Sequence, residues 1–354
     1  MHIDICRDMA DILSGNDFWL TVATIVALVV SGLTVLFLTP IIMKRMRERG
    51  ITGQDWNKKV KTEIPELGGI AILFAFPIGI SIATGIIKLT VGLEASGILA
   101  AIGVLFVGGM IGLIDDISNI PQKVKGVIMT FAALPLIIAG AGLETIPLPF
   151  GLSPIDFMQT DTSQLFFWII IVPIAVTGAA NAMNMSAGYN GLETGQVAIV
   201  SAALLSAAIL IGTSIESILI FAALMGAATG LNYFNGYPAI TFVGDVGTLS
   251  MGAVIATGVI VGNLELAGII AIAPTFYELA ATVYYSLHKI ERKLAMANPI
   301  IDEQGRLHPP KGAERYALSY WLLSKRPMTE QNLVRVILGI YAVFGIIAIA
   351  VAVL

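Results

Sequence analysis

Apolar residues recur along this chain in ten long runs separated by short polar joints. The runs lie at about 18–41, 67–87, 97–114, 126–142, 165–183, 195–212, 217–233, 247–262, 266–288 and 333–353. Roughly 20 apolar residues are needed for a helix to cross the hydrocarbon core of a bilayer. The pattern therefore predicts an all-α polytopic membrane protein with about ten transmembrane helices. The shorter runs are rich in Gly and Ala, which suits close helix contact within a bundle. The longest polar stretch is about 289–332, so residues 1–354 read as a single integral-membrane domain with one sizeable loop.

Composition supports this class. Hydrophobic residues make up 56% of the chain and charged ones 12%, with a mean hydropathy of +0.87; a soluble domain carries about twice that charge. The first run follows an acidic stretch (Asp4, Asp8, Asp11, Asp17) in place of a basic n-region, and reads as a retained helix. The lone Cys6 has no partner for an intrachain disulfide.

The net charge of −4 matters less than its distribution. The joint after the first run carries Lys44, Arg45, Arg47, Arg49, Lys58, Lys59 and Lys61, and the one after the third carries Lys123 and Lys125. The long loop carries Lys289, Arg292, Lys293, Arg306, Lys311, Arg315, Lys325 and Arg326. The alternate segments carry Glu94, Glu144, Asp156, Asp161, Glu216 and Glu265, with Arg7 and Lys88 as the basic exceptions. Under the positive-inside rule both termini lie outside, and the basic joints face the cytoplasm.

Three polar clusters then fall on that same predicted face. Asp115-Asp116 ends the third run; adjacent carboxylates need a nearby cation, and Lys123 and Lys125 follow. Asn181 and Asn184, three apart, share a helix face and offer amide oxygens that can ligate a hard cation. Gly188, Asn190, Gly191 and Gly195 follow and permit close backbone approach to a ligand. Phe242-Val-Gly-Asp245-Val-Gly-Thr248 supplies a hard oxygen ligand suited to Mg²⁺ beside an aromatic face that can stack on a base. Each has a bland alternative: a solvated loop start, a capped turn, a core phenylalanine. Glu278, after Pro274 in the ninth run, has two readings, an intramembrane functional acid or a partner for a broken helix, and is left outside the site. The inventory fits Mg²⁺-assisted phosphoryl transfer, and the sequence lacks a Walker A motif. Nothing in it suggests a nucleic-acid partner.

With these residues in view, the chain resembles the polyprenyl-phosphate N-acetylhexosamine-1-phosphate transferase superfamily, which includes MraY and WecA. Ile64-Pro65-Glu66-Leu67-Gly68-Gly69 is similar to that family's Pro-Glu-x-x-Gly motif, Asp115-Asp116 to its aspartate pair, Asn181 to Gly195 to its asparagine–glycine element, and Phe242 to Asp245 to its Phe-x-Gly-Asp motif. Ala187-Gly188-Tyr189-Asn190-Gly191 and Arg326 to Leu333 are similar to the dolichyl-phosphate GlcNAc-1-phosphate transferase branch.

The resemblance implies Asp115, Asp116, Lys125 and Asp245 as catalytic residues, and Asn184 with Asp245 as ligands of Mg²⁺, for which Mn²⁺ could substitute. It implies Glu66, Asn181, Gly188, Asn190 and Phe242 as the nucleotide site, and a cytoplasmic active site. The donor would be UDP-GlcNAc, with UDP-GalNAc as the alternative aminosugar; the acceptor would be dolichyl or another polyprenyl phosphate, and a homodimer is implied as well. The long loop departs from the pattern. It has neither the triple histidine of MraY nor the paired arginines of the eukaryotic enzymes, and Arg306, His308, Lys311 and Arg315 are the candidates for reading the sugar. It also lacks the eukaryotic insertion, which points to an archaeal source. The rival reading is an ion-coupled secondary transporter, which would place polar groups near the bilayer midplane and show repeat symmetry. A non-catalytic lipid-binding scaffold would explain neither Asp245 nor the asparagines.

Overall fold

A computed structural model describes residues 15–118, 120–288 and 298–354. Asp4, Cys6, Arg7, Asp8 and Asp11 of the acidic stretch, and Lys289, Arg292 and Lys293 of the long loop, lie outside the described residues.

Apolar runs become helices as expected. They are α1 (Gly15–Glu48), α2 (Ile70–Thr90), α3 (Ser96–Ser118), α4 (Gln122–Ile128), α5 (Leu134–Ala139), α6 (Asp161–Phe166), α7 (Val172–Met185), α8 (Leu192–Ile211), α9 (Ile215–Asn235), α10 (Gly244–Val261), α11 (Glu265–Ala271), α12 (Phe276–Leu287), α13 (Leu318–Lys325) and α14 (Glu330–Val353). A wide turn at Phe167–Ile171 joins α6 to α7, ahead of Pro173, which has no N–H to donate. Among the described residues, eight helices are long and apolar enough to cross a membrane. The protein is multi-pass.

The two missing from the expected ten are the fourth and ninth runs, and both are broken. In the fourth, a 3-10 turn at Met129–Ala133 separates α4 from α5, and Pro135 stands in the first turn of α5. Its apolar part, Val124–Ala139, spans about 24 Å as helix against a hydrocarbon core of about 30 Å. In the ninth, Pro274 lies in a 3-10 turn between α11 and α12. Proline removes a helix donor and collides with the preceding turn, so continuous helix is lost there. Hydrophobicity alone does not register these interruptions.

Burial orders the bundle. In α10, 89% of the most apolar window is buried, whereas the figure for α1 and α14 is 22%. α10 is thus the central helix, packed against α3 and α7, while α1 lies on α2 and α9, and α14 on α8 and α11. Leu33 and Phe37 of α1 and Ile346 of α14 are exposed. On a helix solvated by lipid, such residues match their surroundings.

Three antiparallel hairpins decorate the helix ends: β1–β2 (Thr52–Gln54 with Glu63–Pro65), β3–β4 (Thr145–Ile146 with Ile155–Asp156) and β5–β6 (Ile300–Ile301 with Leu307–His308). The first and third lie on one face, where Lys59 of the first loop donates to the carbonyl of Glu303 in the third. That face carries the site.

Candidate active site

Asp245 stands in the first turn of the central helix, where backbone N–H groups have no partner within the helix. Asp116, at the end of α3, supplies the partner. Its Oδ1 accepts from the Asp245 N–H at 2.8 Å and its Oδ2 from the Val246 N–H at 2.9 Å. A carboxylate is doubly suited to this place, because the helix dipole also favours negative charge at an N-terminus. Two glycines make the approach possible. Gly244 has φ +74°, and a Cβ there would stand 2.8 Å from Asp116 Oδ2. A Cβ at Gly112 of α3 would overlap the Asp245 carbonyl.

Asp115 is used differently. Its Oδ1 accepts from the Ile120 N–H at 2.7 Å, and its Oδ2 takes the Lys125 ammonium at 2.6 Å. The same ammonium is salt-bridged to Asp245 Oδ2. Lys125 comes from α4, the short helix ahead of the break in the fourth run, and lies between two carboxylates of other helices. Its side chain is 8% exposed and that of Asp115 12%, while Asp245 is 30% exposed. Asp245 is the member of the trio that opens to a ligand.

Asn184, at the end of α7, donates Nδ2 to Thr248 Oγ1 of α10 at 2.9 Å. The same amide also donates to the Asp245 carboxyl, which makes the two side chains neighbours; its oxygen accepts from no described residue and is the atom a cation would take. Among the described residues, no three His, Cys, Asp or Glu side chains could hold a metal alone. Mg²⁺ is commonly held through one or two carboxylates with substrate phosphates completing its shell, and the hard oxygens of Asp245 and Asn184 suit that mode. Asn181, one turn earlier and partly buried, donates to its own helix at the Thr177 carbonyl, 2.9 Å away.

A second wall forms where the strand β2 exit meets the segment before α10. Phe242 N–H donates to the Pro65 carbonyl at 2.9 Å, and Gly68 and Gly69 N–H donate to the Phe242 and Val243 carbonyls at 2.8 and 2.9 Å. These bonds seat the half-buried Phe242 beside Glu66, whose charge interacts with that of Asp116. The loop after α7 meets the turn ahead of this segment, at Ala239. Gly188 is exposed with φ +121° and donates to Glu193 Oε1 at 3.0 Å. Asn190 is buried, its Oδ1 already accepting from Lys58 Nζ at 2.6 Å and from the Ala239 N–H at 2.7 Å.

The four candidate sugar residues have different local surroundings. Arg306 and His308 both bond Asp302, at 2.7 and 3.1 Å, on the β5–β6 hairpin. Desolvation pushes the Asp302 carboxyl up, but hydrogen bonds from His308 and from the Arg306 backbone and side chain outweigh it and hold the carboxyl below the usual carboxylate range. Lys311 is exposed, and Arg315 lines a separate groove with Tyr285, Glu314 and Lys325. Among the described residues, no hydrogen bond or ion pair joins any of the four to Asp115, Lys125 or Asp245.

Sequence reasoning missed Thr248, which orients Asn184, and a group made of Asp55, Asn57, Lys58 and Glu330. The polar run Asp55-Trp-Asn-Lys58, in a joint otherwise counted only for its charge, was the available signal for the hairpin members.

Comparison with known proteins now decides the family. The family described as glycosyl transferase family 4 matches residues 98–263, which run from α3 through α10 and hold both aspartates, Lys125, the asparagines and Asp245. A protein of Sulfolobus acidocaldarius is 31% identical over 327 residues, covering 92% of this chain and 95% of its own length. It carries the provisional name UDP-N-acetylglucosamine–dolichyl-phosphate N-acetylglucosaminephosphotransferase. This chain belongs to the polyprenyl-phosphate N-acetylhexosamine-1-phosphate transferase superfamily. Its affinity is to the dolichyl branch: a Saccharolobus solfataricus protein with the same provisional name is 30% identical over 87% of this chain and 90% of its own. A phospho-N-acetylmuramoyl-pentapeptide-transferase of Desulfotalea psychrophila is 27% identical over 92% of this chain and 93% of its own. In this superfamily member, then, the aspartate pair is two residues with two tasks. One holds a lysine and the other holds a helix.

Proposed function

We propose that the protein transfers N-acetylglucosamine-1-phosphate from UDP-GlcNAc to dolichyl or another polyprenyl phosphate, releasing UMP and leaving a GlcNAc-diphospho-lipid. One observation carries the reading: Lys125 is clasped by Asp115 and Asp245 at the N-terminus of the central helix, beside the Asn184 amide. That is a cationic and hard-oxygen site for a diphosphate, set at helix ends. A transporter reading calls for polar groups at the bilayer midplane.

In the reaction, an oxygen of the lipid phosphate attacks the β-phosphorus of the donor; the bond from that phosphorus to the bridging oxygen breaks, and UMP departs with the electron pair. Lys125 turns from its carboxylates toward the diphosphate and offsets charge that builds on its oxygens. Asp115 holds the lysine in reach before and after. Asp116 keeps Asp245 at its station through the helix backbone and is a positioning residue. Mg²⁺, held by Asp245 and Asn184 when bound, would neutralise further charge on the donor diphosphate. No general base is needed, since a phosphate monoester is already largely ionised near neutral pH. Phe242 stacks on the uracil, and Glu66 and Gly188 border the nucleoside. The basic joints support a cytoplasmic position for this face under the positive-inside rule.

UMP release by purified protein with Mg²⁺, UDP-GlcNAc and a short dolichyl phosphate tests the reading. Lipid-dependent release that disappears in Asp245→Ala supports it. A folded Asp245→Ala protein with normal turnover sinks the assignment, and release with UDP-GalNAc alone reassigns the sugar.

A further inference from the structure

Behind the loop that borders the nucleoside lies an ionic knot that the transfer step does not use. Asp55, in the β1–β2 hairpin, is 2% exposed; Glu330, the first residue of α14, and Asn190 are each 3% exposed. Lys58 lies among them. It is salt-bridged to Asp55, stands 3.6 Å from Glu330 Oε2 and donates to Asn190 Oδ1 at 2.6 Å. Glu330 Oε1 accepts from the Asn190 N–H at 2.9 Å and from Asn57 Nδ2 at 3.4 Å, and that same amide donates to the Gly188 carbonyl at 2.7 Å. The Lys58 ammonium also sits 4.9 Å from the Tyr237 ring centroid, a cation–π contact.

Four segments distant in sequence meet here: the first hairpin, the Gly188–Asn190 loop, the turn at Tyr237–Ala239 and the start of the last membrane helix. Burying two carboxylates around one ammonium is a poor source of stability, because desolvation cancels much of the attraction. Its effect is directional. Gly188 is held by its carbonyl, and Asn190 by its backbone N–H and side-chain oxygen. The Asn190 Nδ2 donates to no described residue and is the part of that side chain left for a ligand.

We propose that Lys58 and Glu330 are positioning residues for the donor nucleotide. They set the Gly188–Asn190 loop in the conformation that receives the nucleoside, and so govern donor binding while leaving the phosphoryl step alone. The proposal rests on the transferase reading above. It also gives the first hairpin and the last helix a share in the site, although neither carries a reacting group.

The test uses the full chain with Lys58→Met, Glu330→Gln, Asn57→Ala and Lys58→Arg. Kinetics give KM for each substrate and kcat, and calorimetry gives Kd for UMP. In Lys58→Met and Glu330→Gln, donor KM and UMP Kd should rise about 10-fold, as loss of a charge-assisted hydrogen bond implies, with kcat and acceptor KM within about 2-fold. Lys58→Arg should recover most of the affinity. UMP bound as tightly as by the unsubstituted protein, or a fall in kcat at unchanged donor KM, overturns the proposal. Should Lys58→Met fail to fold, Asn57→Ala decides: it removes no charge, only the amide's contacts with Glu330 and the Gly188 carbonyl, and an unchanged UMP Kd there is equally fatal. A natural chain that binds no uridine nucleotide would instead sink the functional reading itself.

Discussion

Asp116 holds Asp245 by its backbone: the N–H of Asp245 donates to Asp116 Oδ1 at 2.8 Å, and the neighbouring Val246 N–H to Oδ2 at 2.9 Å. The Asp245 carboxylate is thereby left to Lys125 and to a ligand. Asp116→Ala leaves two helix N–H groups without an acceptor, an expected cost of about 1–3 kcal/mol. Asp116→Asn keeps one acceptor oxygen and should fall between. Thermal unfolding in detergent, measured beside turnover, should show stability and activity declining in the order natural, Asn, Ala.

Lys125→Met should cost more in rate than any conservative change at the site. It removes the cation from between Asp115 and Asp245 and leaves their carboxylates facing one another. Loss of one electrostatic stabiliser of the transferring group implies a fall in kcat of about 10²–10³-fold. Lys125→Arg keeps the charge but alters its geometry, and should retain only part of the rate. Equal turnover in Lys125→Met and the natural protein would remove the lysine from the mechanism.

A chemically silent change should also disable the enzyme. Gly112→Ala adds one methyl group against the Asp245 carbonyl, and no polar group is lost. Overpacking of this kind costs about 1–3 kcal/mol when the neighbours are backbone. Because the displaced segment carries Asp245, activity should drop further than the melting temperature suggests. Gly178→Ala is the control, since a Cβ there meets nothing within 4 Å.

Metal dependence should locate itself at Asn184. Chelation should abolish turnover and Mg²⁺ should restore it. Asn184→Ala should raise the Mg²⁺ concentration for half-maximal activity about 10–100-fold, the scale seen when a metal's supporting partners are lost. Thr248→Val, which frees the Asn184 amide to rotate, should shift the same titration by less. Unchanged Mg²⁺ titrations in both variants would assign the cation elsewhere.

Run length and apolarity by themselves specify the membrane class, because every peptide group within a bilayer must find its partner inside the segment and helix is the solution available to one strand of chain. The same local logic marks Asp115, Asp116, Asn184 and Asp245, since polar groups at the ends of apolar runs have few local explanations. What the sequence does not carry is assignment among them. Asp115 and Asp116 are adjacent and identical in type, yet successive side chains on a helix point about 100° apart. One therefore meets α4 and the other α10, and only the packing of α3 decides which. The breaks at Pro135 and Pro274 follow from proline chemistry, but that Lys125 on the short helix before the first of them meets two carboxylates depends on where the neighbouring helices lie. The knot of Asp55, Lys58, Asn190 and Glu330 is the extreme case. Its outermost members, Asp55 and Glu330, are 275 positions apart in the chain, with no periodicity linking them. Long-range ionic contacts are set by tertiary geometry alone, whereas the apolar pattern that builds the bundle is written residue by residue along the chain.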